Sequence, residues 1–324
     1  MNHRLLIPVT LLASAALAAC TTGTSPQEGA SAPAAGNKVA LVLGTSGSPF
    51  YEAMACGAKD EANKLGLNLN VSAAAQFSGD AQVPIINAVT ASKPDVAAVV
   101  PTDEQALGAP LGNLVANGTR LITVDQTLAR TDIVDSAITT DNVAGGGLAA
   151  DEVNTLIGGT GKVLVITQPP GSSAQDQRVE GFEKKIGSYA GIEYLGPQYA
   201  SNDPQKVAQI ITATLAAHPD LKAVFATNDQ GAIGVVTGLR QAGKTGDVKV
   251  VAYDAATAEV DALKNGAIQV LIAQDPNTEG RVAMQTAKKI VDGEDVEPRI
   301  QTDLITIRAD ELDKADQYEY KANC

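Results

Sequence analysis

The chain has 324 residues, more than one hydrophobic core usually supports, and 44% of them are apolar, enough for a core in each of two domains. A formal charge of −13 at pH 7 excludes the basic face that nucleic acid or an anionic membrane requires, and it reads first as a solubilising acidic surface. Trp is absent and aromatic residues make up 3%, so a binding pocket must rely on polar groups and a few rings.

Asn2-His3-Arg4 starts the chain positively, and residues 5–17 are almost wholly apolar yet too short for an ordinary membrane span. Leu17-Ala18-Ala19-Cys20 then resembles the bacterial lipoprotein signal, in which cleavage leaves Cys20 as a lipid-modified first residue. That resemblance implies export and loss of residues 1–19. The acyl chains would hold the protein on the outer face of the cell membrane, or on the periplasmic side where an outer membrane is present, without a spanning helix. Residues 20–37 are rich in Ser, Thr, Ala, Gly and Pro without apolar periodicity, which predicts a flexible tether. Outside the cytoplasm Cys56 and Cys324 are expected to pair, the alternative being a buried Cys56 and a free Cys324.

Residues 38–43, KVALVL, read as a compact strand. A Gly/Ser loop follows, and Pro49 suits the first turn of a helix that runs through Phe50 and Tyr51 to about Leu65 and closes at Gly66. Strands are then expected at 67–73, 96–100 and 120–124, with helices at 80–91 and 104–117 between them. A short strand at 136–140 leads into Asp141-Asn142 and a glycine-rich helix start. A second series places strands near 162, 192, 223, 249 and 270, alternating with helices at 174–186, 204–217, 231–241 and 258–264. One more helix after Pro276, a strand near 304–307 and a polar tail complete the chain. This alternation predicts an α/β protein of two doubly wound parallel-sheet lobes, although no clear sequence repeat links the halves.

Several strands end in polar residues: Thr102-Asp103, Asp125, Asn228-Asp229, Asp254 and Gln274. Ligands of open α/β sheets bind at the carboxyl ends of the strands, so this set points to a polar pocket at one rim, or between two facing rims. Each residue also has a plainer role. Asp125 and Asp254 are plausible helix caps, Asp229 is expected to be one, and Phe50 can serve as core. His218 is the only histidine left after signal removal, and it reads as an exposed loop residue. No Walker loop, CxxC pair or HExxH motif occurs. Gly145-Gly146-Gly147 lacks the lysine of a phosphate loop and fits close packing at a hinge crossing better. The expectation is therefore a binding protein, not an enzyme, with neither cofactor nor metal.

With TSGSPFY at 45–51, then LITVD, GSSAQDQRVEGF, AVFATND, VVAYD and LIAQDP in order, the sequence resembles the sugar-binding proteins of bacterial ABC importers, of the ribose- and galactose-binding type, over about 38–306. The resemblance implies two lobes joined by three crossings, near Thr140-Asp141, Gln274-Asp275 and Asp303-Leu304. The lobes would comprise 38–140 plus 276–303 and 141–275 plus 304–324. A sugar would lie between them, met by Ser48, by the rings of Phe50 and Tyr51, and by Asp125, Asp176, Arg178, Asn202, Asn228, Asp254 and Gln274. Two departures concern cations: Gln126 and Asp176 stand where ribose-type relatives have Arg, while Arg178 is kept two residues on. Asn202 replaces an aromatic residue of the second lobe. Ribose is therefore not assigned, and Arg178 has the alternative of pairing with Asp176 or Glu180 on one helix face.

The implied function is that of a lipid-anchored, monomeric solute-binding protein that delivers a sugar or polyol to an ABC permease. Its membrane contact would be through the lipid on Cys20, with no nucleic-acid partner. The alternative is a sensory receptor for a sugar-like signal or nucleoside, feeding a membrane kinase or chemoreceptor.

Overall fold

The computed structural model describes residues 37–321 and 324. The expected export signal, the lipidation site at Cys20 and all of the expected tether but Asn37 lie outside the described residues. The chain starts with β1 (Lys38–Leu43), α1 (Pro49–Leu65), β2 (Asn68–Ala73), α2 (Gly79–Ser92), β3 (Val96–Val99), α3 (Gly108–Ala116), β4 (Arg120–Val124) and β5 (Ser136–Thr140). It continues with α4 (Asn142–Leu156), β6 (Gly161–Thr167), α5 (Ser173–Ile186), β7 (Ile192–Tyr199) and α6 (Pro204–Ala217). Then come β8 (Leu221–Ala226), α7 (Asp229–Gln241), β9 (Lys249–Tyr253), α8 (Thr257–Lys264) and β10 (Val270–Ala273). The last elements are α9 (Pro276–Asp292), β11 (Arg299–Thr302), β12 (Ile305–Arg308) and α10 (Leu312–Tyr318).

The strands form two sheets, ordered β11-β5-β4-β3-β1-β2 and β12-β10-β9-β8-β6-β7. Every pairing is parallel except that of β10 with β12. Helices cover both faces, so β3 and β10 are buried along their whole length, which is why they read as unbroken apolar runs. The chain passes between the sheets at three places: from β5 into α4, from β10 into α9, and from β11 to β12. Thr140 and Gln274 meet at two of these crossings, Thr140 Oγ donating to Gln274 Oε1 at 3.0 Å. Asp141 and Asp275 cap the helices beyond, accepting from Ala144 N–H and Thr278 N–H.

The two lobes share a packing device that sequence comparison of the halves does not expose. The helix after the first strand of each series, α1 after β1 or α5 after β6, lies against the helix that enters that lobe from a crossing, α9 or α4. Glycines three residues on from the contact residues let the backbones touch. A Cβ on Gly57 would strike Asn277 O, and one on Gly280 would strike Met54 O. In the other lobe a Cβ on Gly181 would strike Val143 O, and one on Gly146 would strike Arg178 O. Within the glycine run at 145–147, Gly146 makes the close helix–helix contact, whereas a Cβ on Gly145 would strike the Tyr253 hydroxyl. The two helix pairs fix α1, whose first turn carries Tyr51, and α5, whose second turn carries Arg178.

Three local expectations change. The helix expected from 104 begins at Gly108, because Asp103 Oδ1 accepts from Gln105 N–H and Ala106 N–H and holds a separate turn. The half-polar edge strand β11 carries no apolar alternation strong enough to read. The tail, read only as polar, folds into α10; beyond it Cys324 is disulfide-bonded to Cys56 on α1, the expected pairing.

Candidate ligand-binding cleft

Between the two rims of strand ends lies a cavity of about 560 Å³. Asp125 follows β4 and Asp254 follows β9, the fourth strand of each lobe's series. Both are 4% exposed. Both have left-handed backbones, with φ of 61° and 86°, a conformation that costs a non-glycine residue and is tolerated where the surroundings enforce it. The enforcement is the same in each lobe. Asp125 N–H donates to Ile138 O at 2.8 Å and Asp254 N–H to Ile272 O at 2.9 Å, each on the neighbouring strand. The turn swings each carboxylate off its strand and into the cavity wall. Neither residue caps a helix: Asp125 precedes none directly, and α8 after Asp254 has Ala256 at its N-cap.

Tyr51 donates its hydroxyl to Asp125 Oδ2 at 3.0 Å, and Gln126 Nε2 donates to the same oxygen at 3.4 Å. Asp254 accepts from Gln274 Nε2 at 2.8 Å, from Tyr320 O–H at 3.0 Å and from Asp229 N–H at 3.2 Å. Arg178, 2% exposed, donates from Nε to Asn142 Oδ1 and from Nη1 to Thr227 O, both at 2.8 Å. Its guanidinium lies 3.7 Å from the Tyr253 ring centroid, a cation–π contact. These partners replace the alternative pairing with Asp176 or Glu180.

Burial pushes the Asp125 carboxyl up to about 6, with Arg178 pulling the other way. Burial and then the charge of Asp254 push Asp229 up to about 6. Burial and the neighbouring Asp125 hold the Tyr51 phenol well above its ordinary range, so it stays a donor. The wall therefore carries buried carboxylates, one guanidinium and several amides, the equipment for fixing groups that both donate and accept.

The structure brings Ser48, Phe50, Tyr51, Asp125, Arg178, Asn202, Asn228, Asp254 and Gln274 to this cavity. Asp176 is absent from the wall. Its carboxylate accepts from Gly171 N–H at 2.8 Å, and the residue before it, Gln175, faces the cavity instead. Ser48 precedes α1 without using its side chain as a cap. Phe50 and Tyr51 meet edge to face at 86°, so they do not form parallel plates. Tyr51 instead stacks on Phe77, which also lines the cavity.

Asn228 takes the capping role expected of Asp229 while still lining the cavity. Asn228 Oδ1 caps α7 by accepting from Gly231 N–H at 2.9 Å, while its amide donates to Asn202 Oδ1 at 2.7 Å. Asp229 turns to the cavity. Sequence reasoning missed Phe77, Gln168, Gln175 and Asp229 as wall residues. For Gln175 the signal was its place one helical turn before Arg178.

Gln126 lines the cavity but spends its carbonyl across the cleft. Its Oε1 accepts from Ala174 N–H at 2.9 Å, Ser173 Oγ at 3.2 Å and Ser172 Oγ at 3.3 Å, at the start of α5. Thr127 N–H donates to Ser173 Oγ, and Glu104 N–H donates to Gly171 O. The lobes thus touch along the rim of the cleft.

Among the described residues no group of three or more His, Cys, Asp or Glu is arranged to hold a metal ion. Residues 39–295 match the periplasmic binding protein domain family. The chain is 34% identical over 268 residues to the ribose import binding protein of Salmonella typhimurium, covering 82% of this chain and 88% of that one. An ABC transporter solute-binding protein from Agrobacterium vitis, bound with α-D-tagatopyranose, superposes with a TM-score of 0.86 at 34% identity, over 88% of this chain and 99% of that one. A carbohydrate transporter solute-binding protein from Agrobacterium radiobacter, in complex with D-arabinose, does so with a TM-score of 0.83 at 27% identity, over 88% and 99%. By fold, site position and sequence, the chain belongs to the periplasmic sugar-binding protein family of bacterial ABC importers.

Proposed function

We propose that this protein binds one sugar or polyol between its lobes, closes over it and presents it to an ABC import permease, without chemical turnover. The observation that carries the reading is the pair Asp125 and Asp254. They come from facing sheets, are turned inward by matching left-handed backbones, and sit in one cavity with Arg178. A hydroxylated ring offers each carboxylate a donor and each amide both partners. Phe50, Tyr51 and Phe77 supply aromatic surface for its apolar face. The rim bonds of Gln126 are of the kind that favour a closed state once a ligand bridges the lobes. Ligands named for the relatives, ribose, tagatose and arabinose, define where to search.

The ligand contacts we assign are Ser48, Phe50, Tyr51, Asp125, Arg178, Asn202, Asn228, Asp254 and Gln274, all on the cavity wall. The same reading takes residues 38–140 with 276–303 as one lobe and 141–275 with 304–324 as the other. It takes Cys20 as a lipid anchor joined to the folded part by the tether at 20–37, and the protein as a monomer.

Thermal-shift screening of monosaccharides and polyols, with nucleosides as controls, tests the assignment. A true ligand raises the melting temperature progressively with concentration. Indifference to every sugar and polyol, or a response to nucleosides alone, would refute it.

A further inference from the structure

We propose that Tyr320 is a positioning residue of the binding site, kept in register by the Cys56–Cys324 disulfide. It does not line the cavity; it stands behind the wall. Its hydroxyl donates to Asp254 Oδ1 at 3.0 Å and accepts from Gln274 N–H at 3.3 Å. Its ring meets Phe50 edge on, with centroids 5.7 Å apart. Its backbone N–H donates to Ala255 O at 3.0 Å, which locks the tail beside the left-handed turn at Asp254. Tyr320 is 5% exposed, so this is a packed and hydrogen-bonded contact. One side chain thereby touches an aromatic residue from the first lobe and a carboxylate from the second.

The chain around it explains how Tyr320, just beyond the last helix described, is held. α10 packs on β12 and α8, so the tail departs from the second lobe. Cys324 is then joined to Cys56 on α1, the helix of the first lobe whose opening turn carries Phe50 and Tyr51. The disulfide is a covalent link between lobes beyond the three chain crossings. Without such a tie the segment after α10 would be free to fray, and ordering Tyr320 would then cost conformational entropy each time the site formed. With the tie, the Asp254 carboxylate and the Phe50 ring have a fixed support. The site's affinity should therefore depend on an oxidised tail.

The inference rests on the proposed sugar-binding function, so its test has one arm with a ligand and one without. The ligand arm uses whichever screened sugar or polyol stabilises the wild-type chain most, titrated calorimetrically into wild type, Tyr320→Phe, Cys324→Ser and the double variant. Tyr320→Phe keeps the ring and removes the hydroxyl. It should weaken binding roughly tenfold as the Asp254 carboxylate loses its support, measured well below the melting temperature, which should itself fall by a few degrees because the bond is already made without ligand. Cys324→Ser, and wild type treated with dithiothreitol, should weaken binding too. The double variant should bind more tightly than the product of the two single effects would allow, because both act through Asp254. Wild-type affinity in Tyr320→Phe, or effects that simply multiply, would overturn the proposal.

The second arm is the crystal structure of each unliganded variant. A displaced Asp254 carboxylate supports the proposal, and an unmoved one refutes it. Should no sugar bind the wild type, the functional reading fails, and this second arm alone decides the role of Tyr320.

Discussion

Asp125 makes the proposed site sensitive to pH in a direction that can be worked out. Its carboxyl is pushed up to about 6 by burial, against about 4 for an ordinary aspartate. In the proposed site a ligand hydroxyl would donate to the carboxylate, so ionised Asp125 should bind it more tightly than the protonated form. About one molecule in ten is ionised at pH 5 and nearly all are at pH 8, so the dissociation constant should rise roughly tenfold between pH 8 and pH 5. Asp229, also pushed up to about 6, steepens the profile if it touches the ligand. The unliganded protein should behave oppositely. The folded state holds this proton more tightly than the unfolded chain, so the contribution to stability is complete below pH ~4 and is lost as pH rises through about 6. The span is about two pH units, or about 3 kcal/mol at most. Calorimetric titration from pH 5 to 8 on wild type and Asp125→Asn, with urea unfolding over the same range, measures both. Asp125→Asn should bind weakly at every pH with a flattened profile, and should lose part of the fall in stability. A wild-type affinity independent of pH, or an Asp125→Asn variant with the full wild-type slope, would refute the assignment of the proton.

Tyr51→Phe removes the donor to Asp125 and keeps the ring stacked on Phe77; affinity should fall about three- to tenfold, read by calorimetry, with little loss of stability. Gly146→Ala places a methyl group against Arg178 O, and thermal or urea unfolding should register a loss of about 1–3 kcal/mol, with affinity reduced as α5 shifts. Glu279, fully buried on α9, accepts from Thr302 Oγ through Oε1, while Oε2 has no partner among the described residues. Burial and then Asp125 hold its carboxyl well above the usual range, so the wild type loses this contribution to stability as pH climbs past the ordinary carboxyl value. Glu279→Gln should match wild type near pH 4 in urea unfolding and exceed it increasingly towards pH 8; equal stability across that range would disprove the buried proton.

The α/β alternation was legible because apolar strand runs such as AVFA at 223–226 and VLIA at 270–273 are local properties of the chain, set by burial on both faces. The strand-end residues Asp125, Asp254 and Gln274 were legible for the same reason: a polar residue directly after a buried strand has one rim to occupy. Roles that depend on side-chain direction were not. Asn228 and Asp229 are adjacent and both line the cavity, and only the start of α7 decides that the first is also the cap. Asp176 and Gln175 differ by one helical step, about 100° of rotation, and α5 packed on α4 by Gly146 and Gly181 turns the second inward. The commitment of Gln126 to the far lobe and the support of Asp254 by Tyr320 join residues distant in sequence. The first contact exists only once the two sheets are set face to face and the second only once the tail returns along its own lobe, and no local pattern of residues encodes either placement.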